Sequence, residues 1–172
     1  MLKGHGIVFA LGMLSLCFLG ACNPKNEPPK GVDLSKHAAK INSEASLEKG
    51  SSYLSVYSDV YSYSEQLKHS LTATISLRNL DESNPIYIYR AEYFDTSGKK
   101  ILDYVPQPIA LKPLETINII IEETDESGGT GANFVFDWAI PKGGIEPLFE
   151  AIMISTKGQQ GLSFATTGHR IR

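Results

Sequence analysis

Leu71, Ala73, Ile75 and Leu77 alternate with Thr72, Thr74, Ser76 and Arg78, the period-two pattern of a strand with one buried and one wet face. Ile117, Ile119 and Ile121 repeat it, and Phe134, Phe136, Trp138 and Ile140 repeat it with large side chains on one side, which assigns those rings to a core. Further strands are expected over residues 53–58, 86–95, 100–105, 148–156 and 162–166, giving about eight short strands. Turn-forming clusters separate them at 81–85, 96–98, 106–113, 127–131, 141–144 and 158–161. No stretch of ten or more residues in this region has helical periodicity, which excludes parallel βαβ crossovers. The expected class is therefore all-β, an immunoglobulin-like antiparallel sandwich of 7–8 strands; a small closed barrel satisfies the same strand count.

The chain before residue 52 follows other rules. Lys3 precedes an apolar run from Ile7 to Leu19, thirteen residues, which suits a secretory signal and is too short to span a bilayer. The run closes on Leu19-Gly20-Ala21-Cys22, a pattern that resembles the bacterial lipoprotein signal. That resemblance implies cleavage after residue 21 and acyl chains on Cys22, with two or three chains holding the protein firmly where one binds reversibly. An uncleaved anchor helix or an ordinary secretory signal cut after Ala21 are the plainer alternatives. Asn23, where an Asp would favour inner-membrane retention in enterobacteria-like sorting, favours the outer membrane. Residues 22–51, rich in Pro, Lys, Asn, Glu, Ser and Gly, read as a tether able to reach about 100 Å when fully extended. Leu34, Ala38, Ile41 and Ala45 allow one short helix within it. The division expected is thus 1–21 signal peptide, 22–51 lipidated tether and 52–172 sandwich domain.

Charge and cysteine content then narrow the chemistry. Sixteen basic and nineteen acidic residues are mixed along the chain, for a formal net charge of −3, so no basic stripe exists to follow a phosphate backbone and nucleic acid is not an expected partner. Cys17 leaves with the signal and Cys22 carries lipid, so the domain has no disulfide, no thiol nucleophile and no Cys-based metal site. His69 and His169 are the domain's two histidines, poor material for a metal site or a Ser-His-Asp arrangement, and no Gly-x-Ser-x-Gly elbow is present. Asp137 falls on the face opposite Phe136 and Trp138, and Arg90 is placed to pair with Glu92 or with a neighbouring strand.

Two clusters remain as candidate sites. Glu122, Asp125, Glu126 and Asn133 flank the glycines of a loop and offer oxygens of the kind that bind calcium, without the spacing of an EF-hand. The plainer reading is a solvated acidic turn needing glycine for positive φ. Tyr53, Tyr57, Tyr61 and Tyr63 interleave with serines at odd positions, so one continuous strand would display all four on one face, a surface suited to a protein or glycan partner. Half-buried strand tyrosines are the alternative, with Asp59 breaking the first run.

The segments Thr72-Ala73-Thr74-Ile75-Ser76-Leu77-Arg78-Asn79, Tyr93-Phe94-Asp95 ahead of Gly98, and Gly128-Gly129-Thr130-Gly131-Ala132-Asn133-Phe134 resemble those of DUF3124, a bacterial family of unknown function, over about residue 53 to the C-terminus. The resemblance implies no catalytic residue. More loosely, the order of strand, Arg-Asn, strand, Tyr-Phe-Asp and Gly is similar to the water-stress sandwich domain of late-embryogenesis proteins, an analogy of fold. The expected function is a non-enzymatic, lipid-anchored binding or structural module for an envelope protein partner. The alternatives are an accessory protein binding calcium or a small ligand through residues 122–133, or a hydrolase with a dispersed site.

Overall fold

The computed structural model describes residues 33–41, 46–156 and 161–172. Its strands are β1 (Leu47–Val56), β2 (Asp59–Ser62), β3 (Ser64–Ser70), β4 (Thr72–Arg78), β5 (Ile86–Phe94), β6 (Lys100–Asp103), β7 (Ile109–Leu111), β8 (Thr116–Ile121), β9 (Ala132–Pro141), β10 (Leu148–Ser155), β11 (Leu162–Thr167) and β12 (His169–Arg170). All pairing is antiparallel. One sheet runs β12-β1-β9-β5-β6, with β7 also on β5; the second runs β11-β10-β4-β8; β2 and β3 form a separate hairpin. The chain changes sheets between β4 and β5, β7 and β8, β8 and β9, β9 and β10, and β11 and β12, so the two layers are woven into an immunoglobulin-like sandwich and no barrel closes.

Each of the eight strands expected from alternation is present, and the buried face is the one alternation selects. Along β9, Phe134, Phe136 and Trp138 point inward, and Phe136 stacks on Phe149 of the opposite sheet with ring centroids 4.0 Å apart. Ile75 and Leu77 of β4, Ile119 and Ile121 of β8, and Ala91 and Tyr93 of β5 complete the core.

Strand β1 begins at Leu47, ahead of the boundary that composition placed at residue 52. Gly50-Ser51-Ser52 has a linker's composition but a different use here. Gly50 lies opposite Trp138 in the register, and a Cβ at Gly50 would fall 2.4 Å from the indole ring. Ser52 accepts the indole N–H at 2.9 Å. Small residues in this strand are what let a tryptophan fold inward from its neighbour.

Part of the stretch read as tether also packs on the domain. Residues Ser35–His37 form a single 3₁₀ turn, Leu34 is buried in the core cluster, Ala38 bridges to Ile109 of β7, and the Ala39 N–H donates to the Pro108 carbonyl at 2.9 Å. The helix suggested by Leu34, Ala38, Ile41 and Ala45 does not form over residues 34–41, where Leu34 enters the core and Ala38 bridges to β7 instead; residue 45 lies outside the described residues.

Candidate functional site

The four tyrosines separate because the run that carries them bends after Val56. Tyr53 lies in β1, opposite Val135 and His169, half exposed on the outer face of its sheet. Tyr57 packs edge-on against Phe164, with ring centroids 5.7 Å apart. Tyr61 and Tyr63 belong to the β2–β3 hairpin, in which Asp59 pairs with Ser70, Val60 with His69 and Tyr61 with Lys68 before a register shift at Ser62. Tyr63 occupies the turn with φ of 59°, a left-handed conformation uncommon for a residue other than glycine. Tyr61, Tyr63 and Leu67 are 57%, 100% and 46% exposed, so the hairpin carries three large side chains into solvent. The Lys68 ammonium lies 5.3 Å from the centroid of the Tyr61 ring.

The hairpin projects into solvent from a fastened base, where Val60 packs against the core. The Leu71 N–H donates to Ser58 O at 2.7 Å, and the Ser58 N–H donates to Gly129 O at 3.1 Å. The glycine-rich loop is thus the seat of the hairpin. Its Gly128 carbonyl accepts from the Thr96 N–H and hydroxyl, while the Thr96 hydroxyl oxygen accepts from the Gly131 N–H at 2.9 Å. Beneath Gly128, the buried Tyr93 hydroxyl meets Ser58 Oγ at 2.9 Å. Burial pushes the Tyr93 phenol up to about 12, against the opposing effect of the Ser58 hydrogen bond.

Of the side chains proposed for calcium, Asp125 caps its own turn. Asp125 Oδ1 accepts the Ser127 N–H at 3.0 Å, and the Asp125 N–H closes a turn on Glu122 O. Asn133 is a β9 strand residue opposite Ser55 and Phe94. Among the described residues, no group of three or more His, Cys, Asp or Glu side chains is placed to hold a metal ion. Cys22 and the signal segment lie outside the described residues.

The other family-like segments also resolve into fasteners. Buried Asn79 donates through Nδ2 to the carbonyls of Asn84, Leu111 and Lys112 and accepts the Asp81 N–H, tying the loop after β4 to the β7–β8 turn. Asp95 accepts from the Ser97 and Lys99 N–H groups around a turn in which Gly98 takes φ of 81°.

These anchored carboxylates predict an acid limit. The Ser83 and Asn84 N–H bonds hold Asp81 below the usual carboxylate range, the Ser97 side chain and the Lys99 N–H do the same for Asp95, and the Lys112 N–H with His37 does so for Glu115. A carboxylate whose folded pKa is depressed contributes stability that is complete above its unfolded pKa and is lost as pH falls toward the folded value. Thermal melts should therefore hold steady down to about pH 4.5 and then decline steadily to about pH 3, with Asp81→Asn flattening part of that decline. A melting temperature unchanged at pH 3 would contradict the assignment.

On the outer face of the six-stranded sheet, a register shift between Ile88 and Arg90 makes Tyr89 an extra residue, and Tyr89 and Arg90 both turn outward. Arg90 reaches Asp137 of β9 at 2.7 Å and Glu92 at 2.8 Å, and the Ser51 hydroxyl donates to Asp137 at 2.6 Å. The sequence expectation for Asp137 and Arg90 is met by this network. Partial burial opposes ionisation of Asp137, but the Arg90 and Ser51 hydrogen bonds with the charges of Arg90 and Arg172 outweigh it and hold its carboxyl low. Beside the network lies an open depression of about 390 Å³ lined by Lys49, Ser51, Tyr89, Asp137 and Arg172, with Gly50 and Trp138 also contributing. Sequence reasoning had no signal for it, since Lys49, Tyr89 and Arg172 are brought together only by strand pairing.

Fold and surfaces together define an all-β sandwich whose distinctive motifs fasten loops and whose exposed features are a hairpin and a charged depression. The chain belongs to DUF3124, a protein family of unknown function, matched over residues 49–171. No curated protein and no solved structure matches it.

Proposed function

We propose that the protein is a lipid-anchored module of the bacterial cell envelope that acts by binding a protein partner through the β2–β3 hairpin. The observation that carries this reading is the exposure of Tyr61, Tyr63 and Leu67 on a hairpin that contributes none of them to the core. Amphipathic tyrosines with serines give large contact area at low entropic cost, and an apolar surface held away from the core has no role in folding. Binding rather than catalysis fits the charged face as well, where Asp137 is held ionised by Arg90 and Ser51 rather than poised to exchange a proton. Among the described residues no helix is long and apolar enough to cross a membrane, and attachment in this reading rests on Cys22.

Two expected results follow. Cys22→Ser abolishes incorporation of radiolabelled fatty acid and moves the protein from the membrane to the soluble fraction; retention of label would end the anchoring assignment. A photo-crosslinking residue at Tyr63 yields one discrete adduct in intact cells, absent when Tyr61 and Leu67 are both changed to Ser. The same crosslinker at exposed Leu114, in the β7–β8 turn, yields no such adduct. Equal adducts at both positions, or none at Tyr63, would remove the hairpin from the reading.

A further inference from the structure

A sheet carries unpaired N–H and C=O groups along its outermost strands, and folds blunt such edges with charge, brevity or cover. Among the described residues, most edges here are blunted. β6 and β12 are short and carry Lys100, Asp103, His169 and Arg170. β7 is bridged by Ala38, and β11 is hooked to β1 by the Thr166 hydroxyl, which donates to Ser55 O at 2.6 Å. The β2–β3 hairpin carries Glu65 and Lys68. β8 has none of these devices. It ends the four-stranded sheet and reads Thr-Ile-Asn-Ile-Ile-Ile, with no charge, proline or bulge, in unbroken register against β4.

Parity decides which backbone groups of β8 point away from β4. The Asn79 N–H donates to Glu115 O at 2.9 Å, in line with the register of the two strands. Hydrogen-bonded pairs alternate along an antiparallel ladder, so Ile117, Ile119 and Ile121 bond to β4 while the N–H and C=O groups of Thr116, Asn118 and Ile120 face outward. Among the described residues no loop backbone takes those outward groups, and all three residues are exposed.

We infer that β8 pairs antiparallel with β8 of a second copy across a two-fold axis at Asn118, joining the two four-stranded sheets edge to edge. The strand is self-complementary in that register. Asn118 meets its counterpart, Thr116 meets Ile120, and on the inner face Ile117 meets Ile119, so every outward N–H finds a C=O. Asparagine is depleted in strands; here its Oδ1 accepts from Ser76 Oγ at 2.9 Å, which leaves its amide N–H groups to bond across the axis. Charge agrees with the antiparallel sense, which carries Glu122, Asp125 and Glu126 of one copy toward Lys112 of the other, whereas a parallel pairing would set carboxylates beside carboxylates. Glu115, at the Lys112 end, is already met by His37 and the Lys112 N–H. The array closes at two copies, since β11 at the far end of the sheet is hooked to β1. This pairing is independent of the hairpin and of the partner reading.

The test is cysteine crosslinking of the full chain in membranes of cells that produce it, oxidised with copper phenanthroline, with the unsubstituted chain as background. Asn118→Cys should give a covalent dimer, because opposed residues of a bonded pair stand about 5.5 Å apart, within disulfide reach. Thr116→Cys alone should give none above background, and Thr116→Cys combined with Ile120→Cys should restore the dimer. Ile120→Pro removes an outward N–H and no bond to β4, so it should lower the Asn118→Cys yield at least about tenfold. Ile152→Lys, on the exposed outer face of β10, should leave that yield unchanged. The pairing is overturned by the absence of a dimer from Asn118→Cys, by an equal dimer from Thr116→Cys alone, or by indifference to Ile120→Pro. Loss of the dimer on Ile152→Lys would overturn it too, because sheet faces rather than edges would then meet.

Discussion

Phe136→Ala should remove about 3–5 kcal/mol of stability, the usual cost of deleting a fully buried aromatic ring. Few residues in this fold are more central. The Phe136 ring lies between Phe134 of its own strand, at 5.6 Å, and Phe149 of the facing sheet, at 4.0 Å with the two ring planes nearly parallel. Deleting it opens a void that the two sheets cannot close, because strand pairing on both sides of β9 holds the backbone in register with β1 and β5. A single domain holds about 5–15 kcal/mol in total, so the variant should sit near the threshold of folding, its melting temperature lowered by roughly 10–20 °C. Phe136→Leu, which refills most of the volume, should lose much less. Urea unfolding of the three proteins decides the matter, and a loss under about 1 kcal/mol for alanine would mean that the sheets are less tightly coupled than the ring stack indicates.

The second large effect is expected from a far smaller change. Gly128→Ala should cost about 2–4 kcal/mol although its φ of −76° suits any residue. The obstacle is space: the added Cβ would stand 1.9 Å from the Tyr93 hydroxyl, 2.7 Å from Ser58 Oγ and 2.8 Å from Ala132 Cβ. Either the loop lifts or the buried Ser58–Tyr93 hydrogen bond breaks. Tyr93→Phe removes the oxygen that clashes, so the double variant should be more stable than the sum of the single losses predicts, by about 1 kcal/mol or more. Strict additivity would mean that the methyl group is accommodated elsewhere. Because Ser58 also donates to Gly129 at the base of the hairpin, the alanine variant should in addition weaken the Tyr63 crosslink.

That pairing of loop and hairpin shows where sequence patterns were informative. Alternation in β4, β8 and β9 identified both the strands and the buried face, since a period of two with large apolar residues has one stable solution in a sandwich. It was silent on β2 and β3, whose run from Ser64 to Ser70 is mostly polar because both faces meet water, and on β7 and β12, with three and two residues. The odd spacing of the tyrosines puts them on one face only in an unbroken strand, and the run breaks between Val56 and Asp59, close to the expected interruption at Asp59. Gly50 looked like linker because the requirement it meets, room for Trp138, is set by a residue far along the chain. The same non-locality hid the depression. Conversely, the family-like segments were conspicuous because Asn79, Asp95 and Gly128 each meet a stringent local geometry, so the most recognisable residues of this chain belong to its architecture.

The docked segment around Leu34 bears on how far the domain can travel. With acyl chains on Cys22, as proposed, a free tether to residue 51 would let the sandwich roam through a shell about 100 Å deep. Leu34 in the core, and His37 meeting Glu115 at 3.2 Å, move the attachment point to within a dozen residues of the lipid and cap the excursion at roughly 40 Å. Confinement of that kind raises the local concentration of whatever shares the membrane surface and excludes targets beyond that height. A partner of this protein would then be selected by altitude as well as by contact.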